Sequence, residues 1–466
     1  MKKPPFSAEK GIARGAATLS AGSFGAKLLG ALYRIPLTNI LGGAGLGLYQ
    51  MVFPVYCILL DFAGAGLPCG LSKLVAENAA AGEHRKNRVL LKTALTAMAL
   101  LGAAASLAMA AFSRPLARAQ GDILAANAYV FLAPAVLFVA LLSCLRGYFQ
   151  GYARMAPTAL SQIAEQAVKL VFGLLLARLL MPDAAAAAAG AAAAVTLSEI
   201  AALILLCALY RRAGKRGMFG GAGSSGEMFS SRAALKTLLK ICLPVTLVGV
   251  LLPLSQAADS FLILNLVGRY SENATSLYGL FSGGVMTVVN LPVSLCYGIA
   301  AAAVPYVSGG KAKSAFALWL TLALSAAAGG ACFLLPRFAV RTLFFSLSAA
   351  EKEIAVNLLK LLAPSVVTMS LLQTANALLV AEGRAYAPLF GMGLGVAAKI
   401  ALEIVLLPNA ALHVYGAAIS LNVCYLVAVL FNLLYSIKVS KRRRAAKESV
   451  YENQERFARK CKADRR

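Results

Sequence analysis

The sequence predicts an all-α polytopic membrane protein of about twelve transmembrane helices arranged as two six-helix lobes. Three observations carry this. Hydrophobic residues make up 60% of the 466 positions, against roughly 45–50% in soluble domains. Apolar runs of the roughly 20 residues that a bilayer-crossing helix needs follow one another from 11 to 437, without the short alternating segments of a β-barrel. Third, the connections alternate between rich and poor in lysine and arginine, as the orientation of membrane helices requires.

The spans are expected at 12–40, 46–76, 90–113, 123–150, 157–181, 184–210, 236–267, 275–307, 314–336, 354–381, 387–408 and 412–437. With the N-terminus inside, 32 basic residues fall in inside segments and seven outside: Arg114, Arg118, Arg178, Arg269, Arg337, Arg341 and Lys352. That asymmetry is expected to put both ends in the cytoplasm and makes the span count even. The net charge of +26 therefore orients the chain and does not signal nucleic acid. The sixth span, "DAAAAAAGAAAAV", is the weakest, because alanine is barely apolar; a partly interfacial helix is the alternative. Lys73 and Lys360, near span ends, are expected to snorkel.

The organisation that follows is a cytoplasmic end at 1–11, a first lobe at 12–210, a linker at 211–235, a second lobe at 236–437 and a basic tail at 438–466. The linker is rich in glycine, serine and basic residues. Its Gly221, Gly223 and Gly226 match G-x-G-x-x-G, but a dinucleotide site needs that turn between a strand and a helix, and a membrane helix precedes it. The halves resemble each other. Gly151, Pro157 and Lys169 recur as Gly383, Pro388 and Lys399, and Leu48-Tyr49 recurs as Leu277-Tyr278 at nearly the same offset. Six helices per half preserve orientation, so the repeat is parallel. This layout suits a transporter with its site between lobes.

Charges inside the spans are the candidate functional residues, since each costs roughly 2.5–3.5 kcal/mol at a helix centre and must face water or a partner. The first half offers Lys27, Arg34, Asp61, Glu165, Lys169 and Glu199; the second offers Asp259, Lys399 and Glu403. Glu165/Lys169 and Lys399/Glu403 are i,i+4 pairs, and mutual neutralisation is their plain structural reading. Arg34 has no local partner. A cavity-facing guanidinium suits a phosphate through bidentate hydrogen bonds; a bridge to Asp61 is the alternative. Asp259 is a candidate for cation or proton coupling, with a structural bridge as its alternative. Prolines at 36, 54, 68, 134, 244, 253, 292, 305 and 364 fall within spans and favour mobile helices.

Other chemistry is expected to be absent. Nine scattered cysteines without a C-x-x-C, and two histidines (His84, His413), give no metal signature. No G-x-x-x-x-G-K-[ST] motif occurs, so a non-enzymatic secondary transporter without ATPase, metal or cofactor is expected, with sodium or protons as coupling ions. The start, "MKKPPFSAEKGIARG", reads as a retained cytoplasmic end, not a signal peptide.

The stretch "GALYRIPLTNILGGAGLGLYQMVFPVYCILLDFAGAGLPCGLSKLVAENAAAGE", with "QGYARMAPTALSQIAEQAVKLVFG", resembles the stage V sporulation protein B family of the multidrug/oligosaccharidyl-lipid/polysaccharide (MOP) superfamily, which has lipid II flippases as relatives. Tyr33-Arg34-Ile35-Pro36, Gly45 to Tyr49 and "GLPCGLSKLVAE" carry most of the likeness. It implies two lobes around a central cavity, alternating access and transfer of an undecaprenyl-pyrophosphate-linked cell-wall or polysaccharide precursor from the inner to the outer leaflet. It implies that Arg34 contacts the pyrophosphate, in a cationic cavity; an aspartate at 61 departs from the family pattern. The substrate contacts expected are Arg34, Lys27, Asp61, Glu165 and Lys169, with Asp259, Lys399 and Glu403 in coupling or the second-lobe cavity. Partners expected are the lipid-linked oligosaccharide, anionic lipid at the tail, and cell-wall synthesis enzymes, with no nucleic acid. A proton- or sodium-coupled exporter of small cationic drugs and a non-transport scaffold are the competing classes.

Overall fold

The computed structural model describes residues 6–62, 67–217, 219, 231–296, 314–381, 384 and 386–436, with side chains from residue 25 onward except at 27, 31, 69, 231–233, 239–245, 247, 248, 314, 315 and 381. The Lys27 side chain, the glycine motif at 221–226, the end of the eighth expected span and the tail at 438–466 lie outside the described residues.

Every element among them is helical. The first, α1 (Phe6–Leu60), holds two expected spans, because Gly42 breaks the helical path at φ 62°, ψ −173°, where a side chain is disfavoured. The helix runs on through Pro36 and Pro54. Just beyond Pro36, Thr38 Oγ1 and Asn39 Nδ2 donate back to the Arg34 and Ile35 carbonyls at 2.9 and 3.1 Å. The second expected span is not one rod: a π-helical turn at 61–62 precedes the undescribed residues 63–66 and then α2 (Leu67–Ala80).

Next come α3 (His84–Ala111), the short α4 (Ser113–Gln120), α5 (Ala126–Gly151), α6 (Ala156–Leu180) and α7 (Ala184–Lys215). The alanine run is a full span. Asp183 caps α7 by accepting from the Ala185 and Ala186 amides, and Ala187 to Ala192 are buried, where small side chains let helices approach closely. The second half holds α8 (Ser231–Val267), α9 (Ala274–Cys296), α10 (Ser314–Leu334), the short α11 (Pro336–Leu343), α12 (Ala349–Ala381), α13 (Tyr386–Leu406) and α14 (Val414–Ser436). Within α9, Gly279–Val285 is a π-helix. Ten helices among the described residues are long and apolar enough to cross a bilayer. The stretch of α1 beyond Gly42 with α2, and the charged α6, bring the number to about the twelve expected.

The chain forms two compact units. One comprises Met1–Leu291, Cys332–Leu361 and Leu402–Ala418; the other Pro292–Ala331, Leu362–Ala401 and Ile419–Arg466. The second is joined by buried polar pairs. Thr321 and Thr374 hydroxyls lie 3.0 Å apart, Ser365 Oγ donates to Asn422 at 2.7 Å, and Asn432 Nδ2 donates to Asn376 at 2.6 Å. The Arg384 guanidinium lies over the Tyr435 ring, 5.8 Å from its centre.

In the first unit Phe219 of the linker packs into a box of aromatic rings. Phe219 is buried among Tyr148, Phe149, Tyr152 and Tyr210, with ring centres 5.2–5.9 Å away. His84 stacks on Tyr152, whose hydroxyl accepts from Asn87 at 3.1 Å. Phe219→Ala is expected to cost about 3 kcal/mol, read as a lower unfolding temperature; an unchanged value would mean that the box closes without the ring.

Candidate functional site

Four helices of the first unit, α1, α5, α6 and α7, place charges against one another. Arg146 is the only charged residue of α5. Its Nη2 lies 2.9 Å from Glu165 Oε2 on α6, with both side chains about 15% exposed, and its Nε donates to Ser161 at 3.0 Å. Gln166 Nε2 donates to the other Glu165 oxygen at 2.9 Å. Glu165 is thus satisfied by Arg146 and Gln166.

Lys169, one turn further along α6, points elsewhere: its Nζ lies 5.9 Å above the centre of the Tyr33 ring on α1. Tyr33 is buried and donates to the Tyr49 hydroxyl at 3.4 Å. A side chain at Gly173 would strike that tyrosine ring, so the α1–α6 approach depends on glycine there. The charges of Glu165, Glu199 and Arg34 all act on Lys169, and Glu199 on α7 feels Glu165, Arg146 and Lys169. Glu199 is buried, and its Oε2 has no hydrogen-bond partner among the described residues.

Arg34 stands at the rim. It is exposed and forms no ion pair among the described residues; in particular, none joins it to Asp61. Its charge still reaches Tyr49, Cys57 and Lys169. Asp61 is half-buried, and its carboxyl carbon lies 3.6 Å from where a side chain at Gly249 of α8 would begin. The cluster combines the Arg146–Glu165 pair with Lys169, Glu199 and, at the edge, the Arg34 guanidinium.

A second group lies at α8, α9 and α13. Asp259 and Glu403 are buried, and both charges act on the buried Tyr278 hydroxyl. Lys399, a turn before Glu403 on α13, is 1% exposed. Sequence reasoning missed Arg146, which it counted among the orienting loop charges. Its signal was the one that marked Arg34: a cation in an apolar helix with no oppositely charged residue three or four positions away. Among the described residues no three of His, Cys, Asp and Glu converge as metal ligands.

On the face of the Gly42 turn, the two halves of the sequence meet backbone to backbone. A side chain at Gly279 would strike the Gly43 carbonyl and the Gly47 amide, one at Gly47 the Thr275 carbonyl, and one at Gly283 the Leu46 side chain. Gly43-x-x-x-Gly47 and Gly279-x-x-x-Gly283 thus cross as paired small-residue motifs. Ser348-Ala-Ala-Glu351 forms a capping box at the start of α12: Ser348 Oγ accepts the Glu351 amide, and Glu351 Oε2 accepts the Ser348 amide. The remaining Oε1 accepts the Gly43 amide and the Ser276 hydroxyl, both at 3.1 Å. Gly47→Ala is expected to destabilise by about 1–3 kcal/mol through overpacking, seen as a lower melting temperature; an unaltered temperature would show a crossing loose enough to part freely.

The family described as polysaccharide biosynthesis protein matches residues 12–311. Stage V sporulation protein B of Bacillus subtilis (strain 168) is 28% identical over 451 residues, covering 93% of this chain and 84% of that protein. Lipid II flippase MurJ of the same organism is 23% identical over 468 residues, covering 93% and 85%. Among solved structures, an inward-facing multidrug resistance MATE family transporter of the MOP superfamily superposes with TM-score 0.73 at 16% identity, covering 90% of this chain and 96% of that one. A helical architecture built from about twelve spans, a fold shared with MOP-superfamily transporters and a family match over most of the length lead to one assignment: the chain is a multi-pass membrane protein that belongs to the polysaccharide biosynthesis protein family.

Proposed function

We propose that this protein is a flippase that moves an undecaprenyl-pyrophosphate-linked cell-wall or polysaccharide precursor from the inner to the outer leaflet by alternating access, with both termini cytoplasmic. The observation that carries the reading is Arg34: an exposed guanidinium without an ion-pair partner among the described residues, beside a cluster in which Arg146 and Glu165 neutralise each other. A pyrophosphate fits that vacancy, because it accepts the planar fork bidentately. Lys169 adds positive charge behind it, and Arg146 holds Glu165 away from the ligand. The similarity to a protein named as a lipid II flippase over 93% of this chain supports the same substrate class.

In this reading the sequence divides into two six-helix lobes joined by the linker. The glycine crossing at Gly43/Gly47 and Gly279/Gly283 is the seal that parts when the site opens toward the outer leaflet, and the Glu351 contacts are its latch. Asp259, Glu403 and Lys399 are the candidates for coupling to sodium or protons, and Lys27 and Asp61 complete the substrate set. The test is transfer of a fluorescent lipid-pyrophosphate-sugar in proteoliposomes, with and without a potential or cation gradient. Transfer above protein-free vesicles is expected. No transfer under any gradient, together with uptake of a small organic cation, would replace this reading with the drug exporter.

A further inference from the structure

The two short helices α4 and α11 carry a feature that substrate transfer does not use. Each follows the long third helix of its half, and Arg337 and Arg341 follow Arg114 and Arg118 at one common offset. Their burial repeats as well. In α4, Ser113 and Ala117 face inward while Arg114, Pro115 and Arg118 are exposed; in α11, Pro336 and Val340 face inward while Arg337, Phe338 and Arg341 are exposed. Each thus presents two arginines one turn apart beside uncovered apolar side chains: Phe112 and Leu124 at α4, and Leu335, Phe338 and Phe345 at α11, all 57–69% exposed.

Both helices end beside the contacts that surround the Gly42 turn and the start of α9 in the first unit. At the end of α4, Gln120 Nε2 donates to the Met51 carbonyl and to Ser260 Oγ, and Asp122 just beyond accepts from Thr275 at 2.7 Å. At the end of α11, the Leu343 carbonyl accepts from Asn39 at 2.7 Å, three residues from the Gly42 turn. They therefore lie on one face of the membrane, and it is the face that the lysine and arginine count leaves poor in cations. Four of the seven basic residues assigned there sit on these two helices, so orientation during insertion does not account for them. Among the described residues Arg114, Arg118 and Arg341 form no ion pair, and Arg337 has only a loose one, 3.8 Å from Glu353 with both side chains more than half exposed.

We propose that α4 and α11 are paired interfacial docking helices for anionic phospholipid headgroups, each holding a headgroup phosphate between its two arginines. Charge selects the partner. A surface with arginine on the polar side and phenylalanine and leucine beside it is the composition that lies in a headgroup layer, and the exposed guanidinium pairs match phosphodiesters. Anchoring both halves to the leaflet at equivalent points fixes the depth of the helices that meet at the glycine crossing.

The test uses the full chain without substrate, so it is independent of transfer. Phe338→Trp is made in a Trp319→Phe background, which leaves one tryptophan, and the protein is reconstituted in phosphatidylcholine vesicles with brominated phosphatidylglycerol or brominated phosphatidylcholine. Preferential quenching by the anionic lipid is expected, falling about fivefold in relative affinity for each of Arg337→Gln and Arg341→Gln and weakening with salt. Phe112→Trp with Arg114→Gln and Arg118→Gln is the second, separate reporter, should α11 variants misfold. Equal quenching by both lipids, or a preference untouched by the arginine substitutions, would overturn the proposal.

Discussion

Arg34→Ala is expected to abolish most transfer of a lipid-pyrophosphate-sugar while leaving the protein folded. Hydrogen bonds to a charged group are worth about 1.5–3 kcal/mol, so removing the guanidinium from a bound pyrophosphate lowers transfer at limiting substrate by about 10- to 100-fold. Stability is expected to stay within about 0.5 kcal/mol of wild type, because the side chain is exposed and breaks no ion pair among the described residues; the Thr38 hydrogen bond to position 34 involves only its backbone carbonyl. Arg34→Lys separates charge from geometry: it keeps the cation but loses the fork, and recovers part of the activity. Equal transfer by wild type and Arg34→Ala would remove Arg34 from the substrate site. A scaffold role makes the same prediction of indifference, so wild-type transfer in the same vesicles distinguishes the two.

Arg146→Ala is expected to unfold the protein at markedly lower temperature. The substitution strands the Glu165 carboxylate, which is about 15% exposed and paired at 2.9 Å, and losing one partner of such a pair costs about 3–5 kcal/mol. Replacing both partners with apolar residues, Arg146→Met with Glu165→Met, is expected to restore most of that loss, because no uncompensated charge remains. Thermal unfolding of the two single variants and the double variant gives the coupling directly. A stable Arg146→Ala protein would mean that Lys169 swings from the Tyr33 ring to neutralise Glu165, the i,i+4 pairing that the sequence suggested.

The comparison of expected and observed spans shows which signals were local. Span edges in α5 and α6 fall within three residues of the hydropathy reading, and those in α3 and α7 within six, since lipid imposes one length and one polarity on every crossing. The break in α1 falls in the gap that the spans expected at 12–40 and 46–76 leave: the backbone departs from the helix at Gly42, while the helix runs on through Pro36 and Pro54. Proline costs one backbone hydrogen bond but fits the helical φ, whereas the break needs a positive φ that glycine takes freely. The alanine run of α7 looked marginal because a hydropathy scale scores each residue against lipid. It is secure because Ala187 to Ala192 face protein, where small size is the advantage.

By itself the sequence determined the all-α membrane class, the order and approximate limits of the helices, the half-to-half repeat and the list of charges that had to find polar surroundings. Those follow from composition and periodicity, which act on each segment alone. The tertiary structure decided who meets whom. It paired Glu165 with Arg146 instead of Lys169, laid Lys169 over Tyr33, left Arg34 without an ion pair among the described residues and crossed Gly43/Gly47 with Gly279/Gly283. Such choices depend on which helices become neighbours and at what rotation, and the cost of a buried charge fixes that a partner must exist without saying on which helix it stands.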